Sequence, residues 1–222
     1  MVFGHALNGR RQAGAPGAIG HARSYELLAK VAFGSRRRVY GQIVRLAGIG
    51  SGDRVLDVGS GPGYLTALAV AAASPGGRAD GVDPSGPMVE LARGLRGDDA
   101  CAFRRGKAEA LDFDDGAVDV VVSCLALHHV PEDVRGRALT EMYRVLAPGG
   151  RLLLADFRPP RGRFGRHFVG AVAGKTMRDN PIERIAPMVR EAGFAGVSDG
   201  VVRPFLYYVR ADKPGAAHPR NE

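Results

Sequence analysis

The chain has 222 residues, of which 45% are hydrophobic and 7% aromatic, and its 31 basic residues exceed its 23 acidic residues by 8. This length and apolar content suffice to bury the core of one α/β domain, which excludes a fibre, a mini-protein and a wholly disordered chain. The two cysteines, Cys101 and Cys124, belong to no CxxC or Cys/His cluster, so neither a disulfide framework nor a bound metal is predicted.

The positive charge is distributed unevenly along the chain. Residues 1–48 carry a net charge of +7 and residues 157–180 a net charge of +5, whereas the intervening residues 49–156 carry −5. Such basic segments can form a solvated face that merely reflects a biased composition, or they can bind an anionic substrate, an acidic membrane surface or nucleic acid. Charge alone does not choose among these interpretations. The first 20 residues lack the apolar core of a secretion signal, so we expect a flexible leader and a cytoplasmic protein.

From the N-terminus, apolar residues at helical spacing predict one or two helices over 24–46. From residue 49 onward, short apolar runs alternate with helical stretches. The predicted strands are 54–58, 78–82, 100–104, 118–123 and 151–155, and the predicted helices are 64–73, 87–96 and 132–146. This alternation predicts a parallel, doubly wound sheet whose ligands bind beyond the carboxyl ends of the strands.

The C-terminal part is predicted to add a helix over 181–192 and two strands, 196–202 and 204–210. The connection between these strands is too short for a crossover, so they form an antiparallel pair. The sequence therefore predicts five units: a leader (1–20), a helical N-terminal lid (21–48), a ligand-binding core (49–156), a basic and aromatic cap (157–180) and a C-terminal helix with a strand pair (181–222).

Three glycines, Gly59, Gly61 and Gly63, alternate with other residues directly after the first core strand. Glycine permits a positive φ and places no side chain between a ligand and the backbone, so a flat nucleoside can lie on this turn. A dinucleotide site is the alternative, but its fingerprint is GxGxxG, and Tyr64 stands where that motif has glycine or alanine. The spacing therefore favours a nucleoside ligand over a nicotinamide cofactor.

A carboxylate, Asp83, ends the second core strand, 20 residues after Gly63. At the end of a neighbouring strand, a carboxylate can accept hydrogen bonds from both hydroxyls of a ribose. The alternative is that Asp83 or Ser85 caps the helix that follows. We favour the ribose role.

These motifs together resemble the class I S-adenosylmethionine-dependent methyltransferases, and within them the small-molecule group that includes the ubiquinone/menaquinone C-methyltransferases. The resemblance rests on segments that occur in the family's order within 49–156: 55–66, 81–85 with Met88, 106–113, 118–123 with 127–132, and 144–152. It implies a Rossmann-like, seven-stranded sheet that is mostly parallel with an antiparallel C-terminal strand. It also implies S-adenosyl-L-methionine as the cofactor.

The resemblance implies positions for the parts of this cofactor. The glycine-rich turn would lie under the methionine part, with Asp57 near its amino group and Asp83 on the ribose. Ala108, where the family often has aspartate, and Glu109 would hold the amino edge of the adenine. The full predicted set is Asp57, Gly59, Ser60, Gly61, Pro62, Gly63, Asp83, Met88 beside the adenine, Ala108, Glu109, and Cys124 with Leu125 closing the wall after the fourth strand.

Methyl transfer from a sulfonium needs little acid–base chemistry when the acceptor is already nucleophilic, because positioning supplies much of the rate. A base is required for a phenol, an alcohol or a carbon acid. His128 and His129, which follow the fourth strand, are the candidates, although one of them can instead pack or cap the next helix. Tyr25 and Tyr40 are predicted to pack in the core, and Asp156 receives no role.

The basic segment 157–180 interleaves arginines with phenylalanines. This pattern suits an interfacial helix or a pocket for an apolar, anionic acceptor, and it also suits RNA. Residues 125–129 stand where methyltransferases of nucleobase amines often have an Asn-Pro-Pro-Tyr type motif, which favours a small molecule over nucleic acid. We expect a methyltransferase for a small, aromatic or lipophilic acceptor, with peripheral membrane contact through the basic and aromatic segments. An RNA methyltransferase and a non-catalytic S-adenosylmethionine-binding protein are the alternatives.

Overall fold

A computed structural model describes residues 36–159, 181–203 and 205–215. The helices are α1 (Arg36–Ala47), α2 (Tyr64–Ala73), α3 (Gly86–Arg96), α4 (Glu132–Val145) and α5 (Ile185–Glu191), with 3₁₀ turns at Leu127–His129 and Ile182–Arg184. The strands are β1 (Arg54–Val58), β2 (Arg78–Asp83), β3 (Cys101–Arg105), β4 (Val118–Cys124), β5 (Leu146–Phe157), β6 (Ala195–Val202) and β7 (Leu206–Asp212).

The seven strands form one sheet in the order β3-β2-β1-β4-β5-β7-β6. Strands β1 to β5 pair in parallel, and β7 runs antiparallel to both of its neighbours. The predicted mostly parallel sheet with an antiparallel C-terminal strand is therefore confirmed. Because the strand order reverses between β1 and β4, the carboxyl ends of these two strands diverge into a crevice, as is typical of doubly wound sheets.

The core lies on both faces of the sheet, because successive side chains of the central strands point to opposite sides. On β4, Val121 packs with the apolar faces of α4 and α5, whereas Val120 and Val122 pack with α1 and α2. The continuous β-branched run of β4 is thus explained by burial on both faces. Helix α1 contributes Ile43, which is completely buried, so the described part of the predicted lid also belongs to the core.

The junction between α4 and β5 differs from the prediction, which placed a loop before a strand at 151–155. The helix ends at Val145 and β5 begins at Leu146. Lys213 explains the direct transition: its Nζ donates to the carbonyl oxygens of Tyr143 and Leu146, at 2.9 and 2.7 Å, and its backbone pairs with Gly149 and Gly150. The last turn of the helix therefore receives its hydrogen-bond partner from the far end of the chain.

Some of the predicted units fall on residues for which the structure gives no description. The leader 1–20, residues 21–35 of the predicted lid with Tyr25, and residues 160–180 of the predicted cap lie outside the described residues. Among the helices that are described, none combines the length and the hydropathy needed to cross a bilayer. Both cysteines are free and buried.

Candidate functional site

A cavity lies at the carboxyl ends of β1, β2 and β4. Its walls are the glycine-rich turn after β1, the end of β2, the loop after β3 and the segment after β4, which the parallel topology brings to one edge of the sheet. The predicted cofactor residues that line it are Asp57, Gly59, Ser60, Gly61, Pro62, Asp83, Met88, Ala108, Glu109, Cys124 and Leu125. Gly63 belongs to the predicted set but not to this lining.

The three glycines of the turn all have positive φ, at 78°, 52° and 79° for Gly59, Gly61 and Gly63. A Cβ atom at Gly59 would overlap the side chain of Ala126, and one at Gly63 would overlap the ring of Phe103. At Gly61, by contrast, a Cβ atom would have no described atom within 4 Å. The outer glycines are therefore required by packing within the protein, and Gly61 is the one whose open side adjoins the cavity.

The backbone N–H groups of the turn are already bonded within the protein. Those of Gly59 and Ser60 donate to the carbonyl oxygen of Val82, at 2.7 and 3.0 Å. Those of Gly61 and Gly63 donate to Asp83 Oδ2 and to the Ser60 carbonyl oxygen, at 2.9 Å each. A dinucleotide pyrophosphate is held by free N–H groups of such a turn, so this arrangement disfavours the nicotinamide alternative.

Asp83 is held in a fixed orientation at the cavity wall. Its Oδ2 accepts the Gly61 N–H, and its Oδ1 accepts the Ser85 N–H at 2.8 Å. Burial raises the pKa of this carboxyl, and the two backbone hydrogen bonds oppose the rise only in part. Ser85 occupies the N-cap position of α3 but makes no side-chain cap hydrogen bond, and Asp83 bonds the N–H of Ser85 rather than one of the helix, so the helix-cap alternative is not confirmed. Each carboxylate oxygen still keeps a lone pair for a further donor.

Asp57 lies at the end of β1, with 1% of its surface exposed. Its Oδ2 accepts the hydroxyl hydrogen of Thr66 at 2.7 Å, across the turn from the first part of α2. Burial raises the pKa of Asp57 to about 7, with a smaller contribution from the charge of Asp83. Sequence reasoning missed Thr66, although its place one turn into the helix after the motif was a usable signal.

Two further features of the lining bear on what the cavity can bind. The Oγ atom of Ser60 is buried and has no hydrogen-bond partner among the described residues, so a polar ligand can supply the missing hydrogen bond. Among the described lining residues, the carboxyls of Asp57, Asp83 and Glu109 face a single lysine, Lys107. This balance favours a ligand that carries positive charge over a phosphorylated one.

The two candidate bases occupy different positions. His129 lines the cavity, whereas His128 lies behind it, with its ring Nδ1 2.7 Å from Asp156 Oδ1. The two imidazole rings are tilted against each other, with centroids 4.0 Å apart. Burial and the neighbouring His128 lower the pKa of His129 to about 4, so that His129 is neutral at pH 7. Asp156, which received no role from the sequence, orients His128.

Three side chains, Arg96, Tyr64 and Tyr40, pack together beside the glycine-rich turn. Arg96 of α3 donates from Nη1 to the Pro62 carbonyl oxygen at 2.6 Å, and its guanidinium carbon lies 5.5 Å from the centre of the Tyr64 ring. Tyr64 in turn packs edge-on against Tyr40 of α1, with centroids 5.4 Å apart. Tyr40 is buried as predicted, and it also lines the cavity. Arg96 was not identified from the sequence.

Comparison with known proteins gives concordant matches. Residues 56–154 match a family model described as a methyltransferase domain. The demethylmenaquinone methyltransferase of Thermus thermophilus is 38% identical over 149 residues, which cover 65% of this chain and 66% of that protein. The ubiquinone/menaquinone biosynthesis C-methyltransferase UbiE of Ectopseudomonas mendocina is 34% identical over 144 residues, covering 63% and 56%.

The chain spans about half to two thirds of the length of these curated relatives. Among solved structures, one described as a SAM-dependent methyltransferase from Aquifex aeolicus has a TM-score of 0.69 at 19% identity. The superposition covers 84% of this chain and 97% of that one, which supports the fold.

Proposed function

The chain belongs to the class I S-adenosylmethionine-dependent methyltransferases, and on this premise we propose that it transfers a methyl group from S-adenosylmethionine to a small, aromatic or lipophilic acceptor. The observation that carries the proposal is the chemistry of the cavity lining, which combines two different groups of residues. One group comprises the carboxylates and the glycine-rich turn, and the other is mainly apolar and includes His129.

The polar part of the lining fits the cofactor. S-adenosylmethionine supplies a methyl group on a positively charged sulfur, and the excess of carboxylates around the turn suits that charge. Asp83 would accept hydrogen bonds from the ribose hydroxyls, and Glu109 would accept one from the adenine amine. The buried Ser60 hydroxyl, which has no partner among the described residues, would also be able to bond the cofactor.

The apolar part of the lining fits an apolar acceptor. It comprises Tyr40, Leu125, Val130 and Pro131, with His129 as its polar residue. Leu125 has a φ of 57°, and it is the only non-glycine residue with a positive φ among the described residues. Leucine adopts this conformation at a cost of roughly 1 to 2 kcal/mol, and such local strain is concentrated at binding and catalytic sites.

His129 is placed to receive the proton of an acceptor that must lose one. Its imidazole is neutral at pH 7 and therefore has a free lone pair for the proton. Burial and His128 disfavour the protonated form, and the negative charge of Asp156 offsets them only in part. Asp156 also fixes the backbone and ring of His128, against which His129 packs. His128 and Asp156 therefore act as positioning residues, and His129 is the candidate base.

The relatives narrow the choice of acceptors for a test. One is described as a demethylmenaquinone methyltransferase and the other as a ubiquinone/menaquinone biosynthesis C-methyltransferase, so a prenylated naphthoquinol is the first acceptor to use, beside a simple phenol and total RNA. The protein is incubated with methyl-labelled S-adenosylmethionine, and each product is analysed by mass spectrometry. Label in the quinol or the phenol supports the proposal, and the Asp83→Ala variant provides the control for cofactor-dependent transfer.

Two other outcomes separate the alternatives. Label in RNA alone contradicts a small-molecule acceptor and supports an RNA methyltransferase. Label in none of the acceptors, nor in a cell extract, by a protein that binds S-adenosylhomocysteine supports a non-catalytic binding protein.

A further inference from the structure

A second notable surface lies at the tip of the β6–β7 hairpin. Among the described residues, the large apolar side chains that are exposed are Leu95, Val201 and Phe205, at 56%, 44% and 46%. Two of these, Val201 and Phe205, flank Arg203 at this tip, whereas Leu95 lies on α3. A single exposed apolar residue needs no explanation, but two beside an arginine at one hairpin tip form a candidate interaction surface.

The arginines of α1 extend this surface. Arg38, Arg45 and Arg203 line a groove between α1 and the hairpin, together with the apolar side chains of Val39 and Leu46. Every charged residue described in the lining of this groove is an arginine. Asp199, an acidic residue of β6, is hydrogen-bonded to Tyr207, and neither belongs to the lining. The surface therefore combines exposed apolar side chains with uncompensated positive charge.

The hairpin tip lies at the same edge of the sheet as the cavity. Strand β7 runs antiparallel to β5, so its first residue, Leu206, pairs with Phe157 at the carboxyl end of β5. The Arg158 N–H donates to the Phe205 carbonyl oxygen at 2.8 Å, which fixes the tip to that end. Asp156, which orients His128, immediately precedes Phe157. A flat partner that touches the tip therefore faces the edge at which the cavity lies.

We propose that the tip residues Val201, Arg203 and Phe205, with Arg38 and Arg45 of α1, form a docking surface for an anionic lipid bilayer. Charge complementarity together with the exposed apolar side chains selects this partner, because the groove carries arginines and no described carboxylate, and Val201 and Phe205 are exposed beside it. Phenylalanine partitions into the headgroup region, and each basic residue near an anionic membrane strengthens binding by about fivefold. Docking holds the edge of the cavity against the phase in which lipophilic molecules dissolve.

The surface is tested by sedimentation of the full chain with sucrose-loaded vesicles. One set contains phosphatidylcholine with phosphatidylglycerol, and the other contains phosphatidylcholine alone. We expect the wild type to bind the anionic vesicles. The Arg203→Glu variant should bind them at least about fivefold more weakly, and Phe205→Ser should weaken binding by a similar factor. Because no methyl transfer is measured, the result is independent of the proposed reaction.

Two matched control variants separate the surface from general charge and hydrophobicity. Arg78→Glu makes the same charge change at an exposed residue that begins β2, at the opposite edge of the sheet, and Leu95→Ser removes the exposed apolar residue of α3. Both controls are expected to bind within about twofold of the wild type, since neither belongs to the surface.

Three results would overturn the proposal. The first is equal binding of the wild type to both vesicle sets, and the second is undiminished binding by the Arg203→Glu and Phe205→Ser variants. The third is a dimer, detected by light scattering, that Phe205→Ser dissociates while the wild type binds no vesicles, because this assigns the surface to a second copy of the chain. Thermal unfolding of each variant verifies that the fold is retained.

Discussion

The ring Nδ1 of His128 lies 2.7 Å from Oδ1 of Asp156, and both side chains are almost completely buried. Asp156 also accepts the backbone N–H groups of His128 and Phe157, at 2.9 and 2.7 Å. One carboxylate thus ties the segment after β4 to the end of β5, and His129 is presented to the cavity as the next residue. This rigid support gives His129 the fixed position that a proton acceptor needs.

The His129→Gln variant tests the proposed base. Glutamine retains a polar side chain of similar size but accepts no proton at neutral pH, so we expect turnover of an acceptor that must be deprotonated to fall by about a hundredfold. Affinity for S-adenosylhomocysteine should remain within about threefold, because the carboxylates and the glycine-rich turn are unchanged. Steady-state kinetics and calorimetry measure the two quantities. Wild-type turnover in the variant would leave His129 without a role in proton transfer.

Substitutions at Gly59 and Gly61 are expected to differ in their effects on stability and on cofactor binding. At Gly59 a Cβ atom would overlap Ala126, so Gly59→Ala should lower the free energy of unfolding by several kcal/mol, or prevent folding. At Gly61 the space is open, so Gly61→Ala should cost only about 1 to 2 kcal/mol, from its positive φ, and weaken cofactor binding. Denaturant unfolding and calorimetry separate the two effects. Equal loss of stability in both variants would contradict this distinction.

The buried carboxyl of Asp57 predicts a pH dependence of stability. Its pKa is about 7 in the folded chain and near 4 in the unfolded chain, so between these values the folded state binds more protons. The contribution of Asp57 to the free energy of unfolding therefore falls as pH rises from 4 to 7, and it is constant above that range.

The Asp57→Asn variant removes this titration and can still accept the Thr66 hydroxyl. The free energy of unfolding of the variant relative to the wild type should therefore increase with pH across the same window. Urea unfolding at a series of pH values measures the difference. A difference that does not vary with pH would refute the raised pKa.

Arg96 supports the glycine-rich turn from outside the cavity. The Arg96→Met variant keeps the aliphatic stem but loses the hydrogen bond to the Pro62 carbonyl oxygen and the charge over Tyr64. We expect affinity for S-adenosylhomocysteine to fall by about tenfold, because the turn loses a hydrogen bond from a charged donor, which contributes roughly 1.5 to 3 kcal/mol to holding it in its binding conformation. Arg93→Met is the matched control, because Arg93 contacts Glu90 and the Phe103 carbonyl oxygen instead. Equal affinities in the two variants would exclude a special role for Arg96.

Local patterns were sufficient to predict the sheet and much of the candidate site. The apolar run of β4 predicts a strand that is covered on both faces. The glycine-rich turn and Asp83 each follow or end a predicted strand, which places them at the ligand-binding edge of the sheet. Contacts between distant segments were not predictable in this way. Asp156 and His128 are 28 positions apart, and Lys213 reaches the end of α4 from 67 positions beyond Leu146. Each of these contacts depends on which strands are neighbours, which periodicity does not encode.

The role of Gly63 illustrates the same limit. Its place in the motif suggested contact with a ligand, but β3 brings Phe103 against it, and the ring leaves no room for a side chain. Similarly, the two adjacent histidines could not be distinguished by sequence, because only the position of Asp156 determines which ring is buried.

The central claim is that a nucleoside sulfonium binds on the turn with its ribose held by Asp83. Calorimetry with S-adenosylhomocysteine tests it most directly, on the wild type, on Asp83→Ala and on Asp112→Ala, which removes an exposed carboxylate outside the cavity lining. We predict that the wild type and Asp112→Ala bind with similar affinity and that Asp83→Ala binds at least about tenfold more weakly. Undiminished binding by a folded Asp83→Ala variant, or no binding by the wild type, would contradict the claim.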